Sequence, residues 1–392
     1  MRKIIVAVLA MAILPGIAWA QEPSNQELYQ MIQQMERKYD AAIKETDRAL
    51  AEARAEAAKA KEEAAKAKAE LARLKAEPRP AAAALQAEAT PLIKAPETTP
   101  GFKASAEVLY MRPSRANLDF AIKDPDNDSY PEGTVSEIEP DYQLGGRFGL
   151  GYDLGSGTEI GVQFTGLKSH DSESATASSS GSLWGLWLHA DASIDDQNVD
   201  TAKARYDFEH YAIDLNARQN LDIGRHLGLS LEGGLRYASM NQDFDIVYRQ
   251  NTTEVAINSE NHFSGWGPRL GLGLDWRVGY GFNVFSSVAG SVLMGDFDLS
   301  YHDQDGTTTR VNMKQGIHNR IIPVVEMKLG VGYAQRLKNG WTIGANAGYE
   351  WQNWFNMVTT HHFSDDVDPQ IMDSDTTDVS LDGFFFEGFI HF

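Results

Sequence analysis

After residue 100, apolar side chains recur at every second position in short runs. The pattern is clearest at the end of the chain, where Phe384, Phe386, Ile390 and Phe392 share one face of an alternating segment that stops on an aromatic. A two-residue period is the signature of a strand with one apolar face. Such a strand suits a membrane β-barrel, in which side chains alternate between lipid and lumen and aromatic girdles mark the two interfaces. Three further runs carry the same message. Tyr142 and Tyr152, Trp266 and Trp276, and Trp341 and Trp351 each bracket an alternating stretch at a separation of ten residues. Ten residues of tilted strand rise roughly 25 Å, the height of a barrel's lipid-facing band.

The alternation predicts ten strands, at 102–111, 141–154, 158–168, 205–218, 225–238, 264–277, 281–295, 321–336, 341–352 and 381–392, with a range of eight to twelve. Short connections (155–157, 220–224, 278–280 and 337–340) alternate with long ones (112–140, 169–204, 239–263, 296–320 and 353–380). An even strand number with short turns at one end and long loops at the other is the plan of bacterial outer-membrane barrels. Within the loop 239–263 the alternation of Phe244, Ile246 and Tyr248 leaves room for one more hairpin. Pro268 and Pro323 fall inside proposed strands, where bulges or strand starts would have to hold them.

The first hundred residues follow other periods. Met1 to Ala20 has a basic start (Arg2, Lys3), an apolar run and a small-x-small end at Ala18-Trp19-Ala20, the form of a secretory signal peptide. From residue 21 to 77 the chain is rich in Ala, Glu and Lys. Apolar residues there follow a 4-3 spacing through Leu28, Ile32, Met35, Tyr39 and Ile43, then mostly alanine, to Leu71 and Leu74. That spacing predicts an α-helical coiled coil about 80 Å long, placed in the periplasm, with a single solvated helix as the second reading. Residues 78–100 carry five prolines and read as an extended linker. The fold class is therefore an all-β transmembrane antiparallel barrel over 101–392 with an N-terminal coiled-coil segment.

Charge sharpens the picture. The first 100 residues hold 15 basic and 14 acidic side chains, so of the chain's 35 and 55, 20 and 41 follow residue 100, a net of −21. On the face opposite the apolar one, the alternation places Glu107, Arg147, Glu159, Asp214, Arg218, Glu232 and Arg236. Arg269, Asp275, Arg277, Glu326, Lys328, Glu350 and Glu387 join them, with Asp153 and Arg336 nearer the ends. These are the candidate pore-lining residues: inside a barrel they either brace the wall as ion pairs or line a water-filled path and set which ions pass. The remaining acid falls in loops such as Asp124-Pro-Asp126-Asn-Asp128 and Asp195-Asp196, which would make the outer mouth negative and draw cations to it.

Other chemistries find little purchase. With no cysteine, disulfides, thiolate metal sites and cysteine nucleophiles are excluded. Gly149-Leu-Gly151-Tyr-Asp-Leu-Gly155 lies within an alternating strand and lacks the spacing and following helix of a dinucleotide site. The Asp124 cluster departs from a calcium loop at its sixth and twelfth positions, Ser129 and Val135. His361, His362, Asp365 and Asp366, or His170 with Asp171, offer a rim-enzyme reading that the acid content of the loops makes weak. No basic excess points to nucleic acid. No cofactor, metal or catalytic residue is expected.

Several stretches carry a family likeness: Gly101-Phe-Lys-Ala-Ser-Ala-Glu-Val-Leu-Tyr110, Tyr142-Gln-Leu-Gly-Gly-Arg-Phe-Gly-Leu-Gly-Tyr152, Leu231-Glu-Gly-Gly-Leu-Arg-Tyr237 and Gly265-Trp-Gly-Pro-Arg-Leu-Gly-Leu-Gly-Leu274. Over about 101–392 the chain resembles the pore-forming outer membrane proteins related to the Legionella major outer membrane protein. The resemblance implies a general diffusion pore for small hydrophilic solutes, while the absence of cysteine carries no disulfide-linked assembly over to this chain. The function expected is a porin-like, cation-preferring outer-membrane pore. The alternative is a closed barrel that anchors an envelope structure. Expected partners are outer-membrane lipid, the barrel-assembly machinery through the C-terminal strand, peptidoglycan or an envelope protein through the coiled coil, and sister chains in a trimer.

Overall fold

The computed structural model describes residues 93–96, 98–126, 130–189, 191–362 and 373–392. The expected signal peptide, the coiled coil and most of the linker lie outside the described residues, as do Asp128, Asp365, Asp366 and the side chain of His362. The described chain is built of β1 (Ile93–Lys94), β2 (Gly101–Arg115), β3 (Asp119–Asp124), β4 (Thr134–Glu137), β5 (Gln143–Gly155), β6 (Thr158–Thr176) and β7 (Ser182–Gly185). There follow β8 (Thr201–Ile223), β9 (Leu227–Gln250), β10 (Thr253–Gly279), β11 (Phe282–Asp305), β12 (Thr308–Arg336), β13 (Thr342–His362) and β14 (Asp373–His391).

Ten of these strands close a ring in the order β8-β6-β5-β2-β14-β13-β12-β11-β10-β9, with β9 returning to β8. Every ring pair is antiparallel, and apart from β14 with β2 each joins ring strands that follow one another along the chain. Closure brings the last strand against the first: β14 pairs with β2, and Phe392 exchanges both backbone hydrogen bonds with Phe102, at 2.7 and 2.9 Å. The aromatic end of the chain is thus part of the seam. Its ring sits 6.2 Å from that of Phe102 and 5.6 Å from that of Trp341. Phe384, Phe386 and Phe392 are exposed on the outer wall and Ile390 is half-exposed beside them. Tight turns close the short end, with Gly224 (φ 68°) and Gly340 (φ 92°) in the left-handed region that glycine enters without strain.

All ten predicted strands are present, but the strands are longer than the apolar face of the sequence suggests. The loops expected at 239–263 and 296–320 are mostly strand, turning at 251–252 and at Gly306. The Phe244, Ile246, Tyr248 run is therefore the continuation of β9, not an added hairpin.

A parity inversion explains this. In the lower part of β9 the apolar residues face outward: Leu231, Leu235 and Tyr237 are exposed while Arg236 is buried. From Ala238 upward the apolar residues are the inward ones, Met240, Phe244, Ile246 and Tyr248, all buried, and the outward positions become Ser239, Asn241, Asp243 and Asp245. The strand runs on without a break while its surroundings change from lipid to water, so the greasy face must turn from outside to inside. On β12 the same outcome needs a bulge. Asn319 (φ 59°) marks an extra residue opposite Gly295 and Phe297, and inward positions move from Ile322 and Val324 to Val311, Met313 and Ile317.

A second sheet, β4-β3-β7, comes from the two loops 116–142 and 177–200. Its Phe120, Ala121 and Leu183 are fully buried in the same apolar core as Tyr206, Phe244 and Phe297. Tyr248 Oη donates to Phe120 O at 2.6 Å and accepts the Trp187 N–H at 3.2 Å, fixing the sheet to the inner face of β9. The loop end of the barrel is thus filled by protein.

The two strand prolines are held otherwise than expected. Pro268 stands in register opposite Leu235 of β9, and the ladder to β11 lapses over Gly267 and Pro268. Pro323 pairs with Val292, and the ladder from β12 to β13 begins only at Val324. Missing donors are accommodated by interrupted ladders instead of bulges.

Candidate functional site

The inward charges form a belt across the lumen. Arg147 on β5 reaches Glu350 on β13, three strands away around the ring, through two hydrogen bonds of 2.8 Å, and also holds Glu107 at 2.7 Å and Thr165 Oγ1 at 3.0 Å. Lys328 on β12 bridges the same two carboxylates, at 3.2 Å to Glu107 and 2.9 Å to Glu350. On the other side, Arg236 holds Asp214 in a two-bond fork of 2.6 and 2.7 Å and also contacts Glu326. Arg269 contacts Glu232 and donates two hydrogen bonds to Glu326, at 3.0 and 2.7 Å, and Arg218 binds Glu232 at 2.6 Å.

Five cations and five carboxylates thus fall into two networks, one around Arg147 and one around Arg236, and together they carry no net charge. Glu107, Arg147, Asp214, Arg236, Glu326 and Glu350 are all buried. Fork geometry and several partners per group are what a buried ion pair needs to offset its desolvation.

Above the belt lies an apolar layer. Gln352 donates to Glu350 at 2.7 Å and accepts from Trp354 Nε1 at 3.1 Å, tying the two layers together. The Trp354 ring meets that of His210, on the opposite strand β8, at 5.0 Å. Met240, Phe263, Leu293 and Leu381 are buried around this level.

Below the belt the lumen opens. A cavity of about 700 Å³ is lined by charged groups, by Gln163, Asn216 and Asn346, and by Phe285, Phe385 and Phe389, and it reaches the turn residues Gly279 and Gly281. Lys103 binds Glu159 at 3.2 Å near its wall, Arg277 contacts Asp222 and lies 3.8 Å from Asp275, and Asn346 donates to Glu387 at 2.7 Å.

The alternation therefore places the fourteen candidate residues on the inward face, and the structure sorts them into two groups. Arg147, Asp214, Arg236, Glu326 and Glu350 belong to the ion pairs alone, while Glu107, Arg218, Glu232, Arg269 and Lys328 belong to them and also line the cavity, here called the vestibule. Asp275, Arg277 and Glu387 line the vestibule only, and Glu159 is bound to Lys103 beside it. Lys103, Asp222, Gln352, Trp354, His210 and the three inward phenylalanines were not singled out from the sequence. Inward Phe385 sits in a run of three phenylalanines, which hides its facing.

At the rim, among the described residues, His170 and Asp171 take different partners. His170 contacts Asp207, while Asp171 accepts from Ser169 and from the Asp141 N–H. His361 is buried and shares a 2.9 Å hydrogen bond with Ser374. Nor is Asp124 a solvated loop acid: the Asp126 N–H at 3.0 Å, the Glu132 N–H and Trp184 Nε1 at 3.2 Å all donate to it, and they hold its carboxyl below the usual range.

No curated protein sequence matches the chain. Among solved structures, the outer membrane protease OmpT from Escherichia coli is 11% identical with a TM-score of 0.43, covering 74% of this chain and 96% of its own. A Pseudomonas aeruginosa FadL homologue is 7% identical with a TM-score of 0.23, covering 74% and 90%, and the outer membrane protein AlkL is 15% identical with a TM-score of 0.25, covering 67% and 97%. Likeness at this level bears on no activity. The family described as Legionella pneumophila major outer membrane protein precursor matches residues 94–392, which take in the entire ring and its lumen. This chain belongs to that family of outer membrane proteins.

Proposed function

We propose that the protein is a closed outer-membrane barrel that acts as an envelope anchor and passes no ions in this conformation. The long-loop end would be displayed at the cell surface and the short-turn end, with the N-terminal segment, would face the periplasm, where that segment engages peptidoglycan or a partner protein. The observation that carries this reading is the contact between His210 and Trp354, whose strands stand five positions apart in a ring of ten, with the buried Arg147 and Arg236 belt spanning the lumen beneath it. A conducting path would have to pass both layers.

Single-channel recording of the refolded mature protein in a planar bilayer, under a salt gradient, tests this. A folded barrel that stays silent is the expected result. Discrete cation-preferring steps would restore the diffusion-pore reading, which draws its support from the 700 Å³ vestibule and the family relation.

A further inference from the structure

One cross-strand row of the vestibule wall has an arrangement that neither lipid contact nor ion pairing uses. Phe285 of β11 stands opposite Gly330 of β12, Gly330 opposite Gly348 of β13, and Gly348 opposite Phe385 of β14. The two rings lean toward each other over the glycines, 6.2 Å apart. Four residues further along β14, Phe389 lies over its partner Gly344. A Cβ at Gly344 would fall 2.3 Å from the Phe389 ring, and one at Gly330 would fall 2.7 Å from that of Phe285. The glycines let the rings lie on the wall; Lys328 Nζ stands 4.8 Å over the Phe385 ring, and Phe285 and Phe389 line the cavity beside it.

The facing wall is polar. It offers Gln163 and Asn216 with the paired charges of Arg218 and Glu232, while Gly271 and Gly273 of β10 leave the wall beside Phe285 recessed. Each cation named around the cavity has a carboxylate partner, so a charged solute gains no net attraction there. A solute that suits both walls is uncharged, has an apolar face for the rings and carries hydroxyls for the amides and ion pairs. The volume is that of a small-molecule site.

We propose that the vestibule binds a neutral sugar, with Phe285 and Phe389 stacking on a pyranose face and Gln163 and Asn216 taking its hydroxyls. This goes beyond the anchor reading but rests on it in one respect, since the belt makes the vestibule a pocket with one mouth.

The test is calorimetric titration of the full chain, refolded in lauryldimethylamine oxide because alkyl maltosides carry the probe, with N,N′-diacetylchitobiose and with maltose. Saturable binding of either sugar is expected, weakened about ten-fold or more by Phe389→Leu and by Phe285→Leu. Lipid-facing Tyr237→Leu should leave it unchanged. If a phenylalanine variant does not reach the folded, heat-modifiable form, Ser287→Leu fills the cavity from β11 without uncovering a glycine and should abolish binding. No saturable heat with either sugar, binding indifferent to these variants, or equal binding of benzenesulfonate would overturn the proposal. Conductance by the same preparation with sugar binding intact would overturn the closed-barrel reading alone.

Discussion

The rings of His210 and Trp354 meet edge to face at 5.0 Å, although β8 and β13 lie at opposite ends of a diameter of the barrel. Side chains of this size fill the interior of a small barrel, whereas much larger barrels keep an aqueous channel. Trp354→Ala would empty a fully buried site and cost about 3–5 kcal/mol. On the closed-barrel reading the variant should nevertheless stay silent in planar bilayers, because the ion pairs around Arg147 and Arg236 lie beneath it.

Arg147 sits between two buried carboxylates, Glu107 and Glu350, so removing it leaves both to Lys328 alone. Arg147→Ala is expected to destabilise the barrel by about 3–5 kcal/mol, read as a lowered urea midpoint of the folded, heat-modifiable band. Adding Glu350→Gln leaves Lys328 to Glu107 alone and removes the excess negative charge, and the double variant should recover part of the loss. Equal midpoints for the single and double variants would show that the belt is not coupled in this way.

At the loop end, Asp303 is fully buried between Ile257 and Val311, and neither of its carboxylate oxygens has a hydrogen-bond partner among the described residues. Burial pushes its carboxyl up to about 6, against the opposing pull of His189 and with Asp305 adding to the rise. A raised carboxyl costs nothing at pH values below the unfolded value, where both states are protonated, and its cost grows as pH rises from there to the folded value. Asp303→Asn should therefore stabilise the loop end by on the order of 2 kcal/mol at pH 7.5 and leave it unchanged at pH 4. Hydrogen exchange of residues 186–199, tied to β11 through Ser193 and Asp305, reads the difference.

The β4-β3-β7 sheet depends on one hydroxyl that both donates to Phe120 O and accepts from the Trp187 N–H. Tyr248→Phe should cost about 1–2 kcal/mol. Limited proteolysis should show faster cleavage within 116–142 and 177–200, with the ten-strand ring left intact.

Phe392 closes the seam through its backbone bonds to Phe102 and its ring against Phe102 and Trp341. Truncating the chain before Phe392 should lower the yield of folded barrel in refolding more than Phe392→Ala does, because only the truncation removes both backbone bonds. Comparison of the heat-modifiable fraction for the two variants checks this.

The ten strands, the outward face and the aromatic bands were legible in the residues themselves. Period-two alternation needs only the contrast between the two sides of a strand, and that contrast acts on each residue locally, as at Phe384 and Phe386 or at Trp266 and Trp276. The inward facing of Arg147, Glu350 and Glu326 followed from the same pattern. Their partners did not: Arg147 and Glu350 are 203 residues apart and Lys328 and Glu107 are 221, and they meet only because ring closure brings strands three apart within reach across the lumen. Length hid the strands' upper halves, since above Tyr237 water replaces lipid and the apolar face turns inward within one continuous strand. Whether the lumen is open was likewise beyond any alternation rule. It depends on whether side chains from opposite walls, such as His210 and Trp354, span the diameter, and that is a property of the closed ring alone.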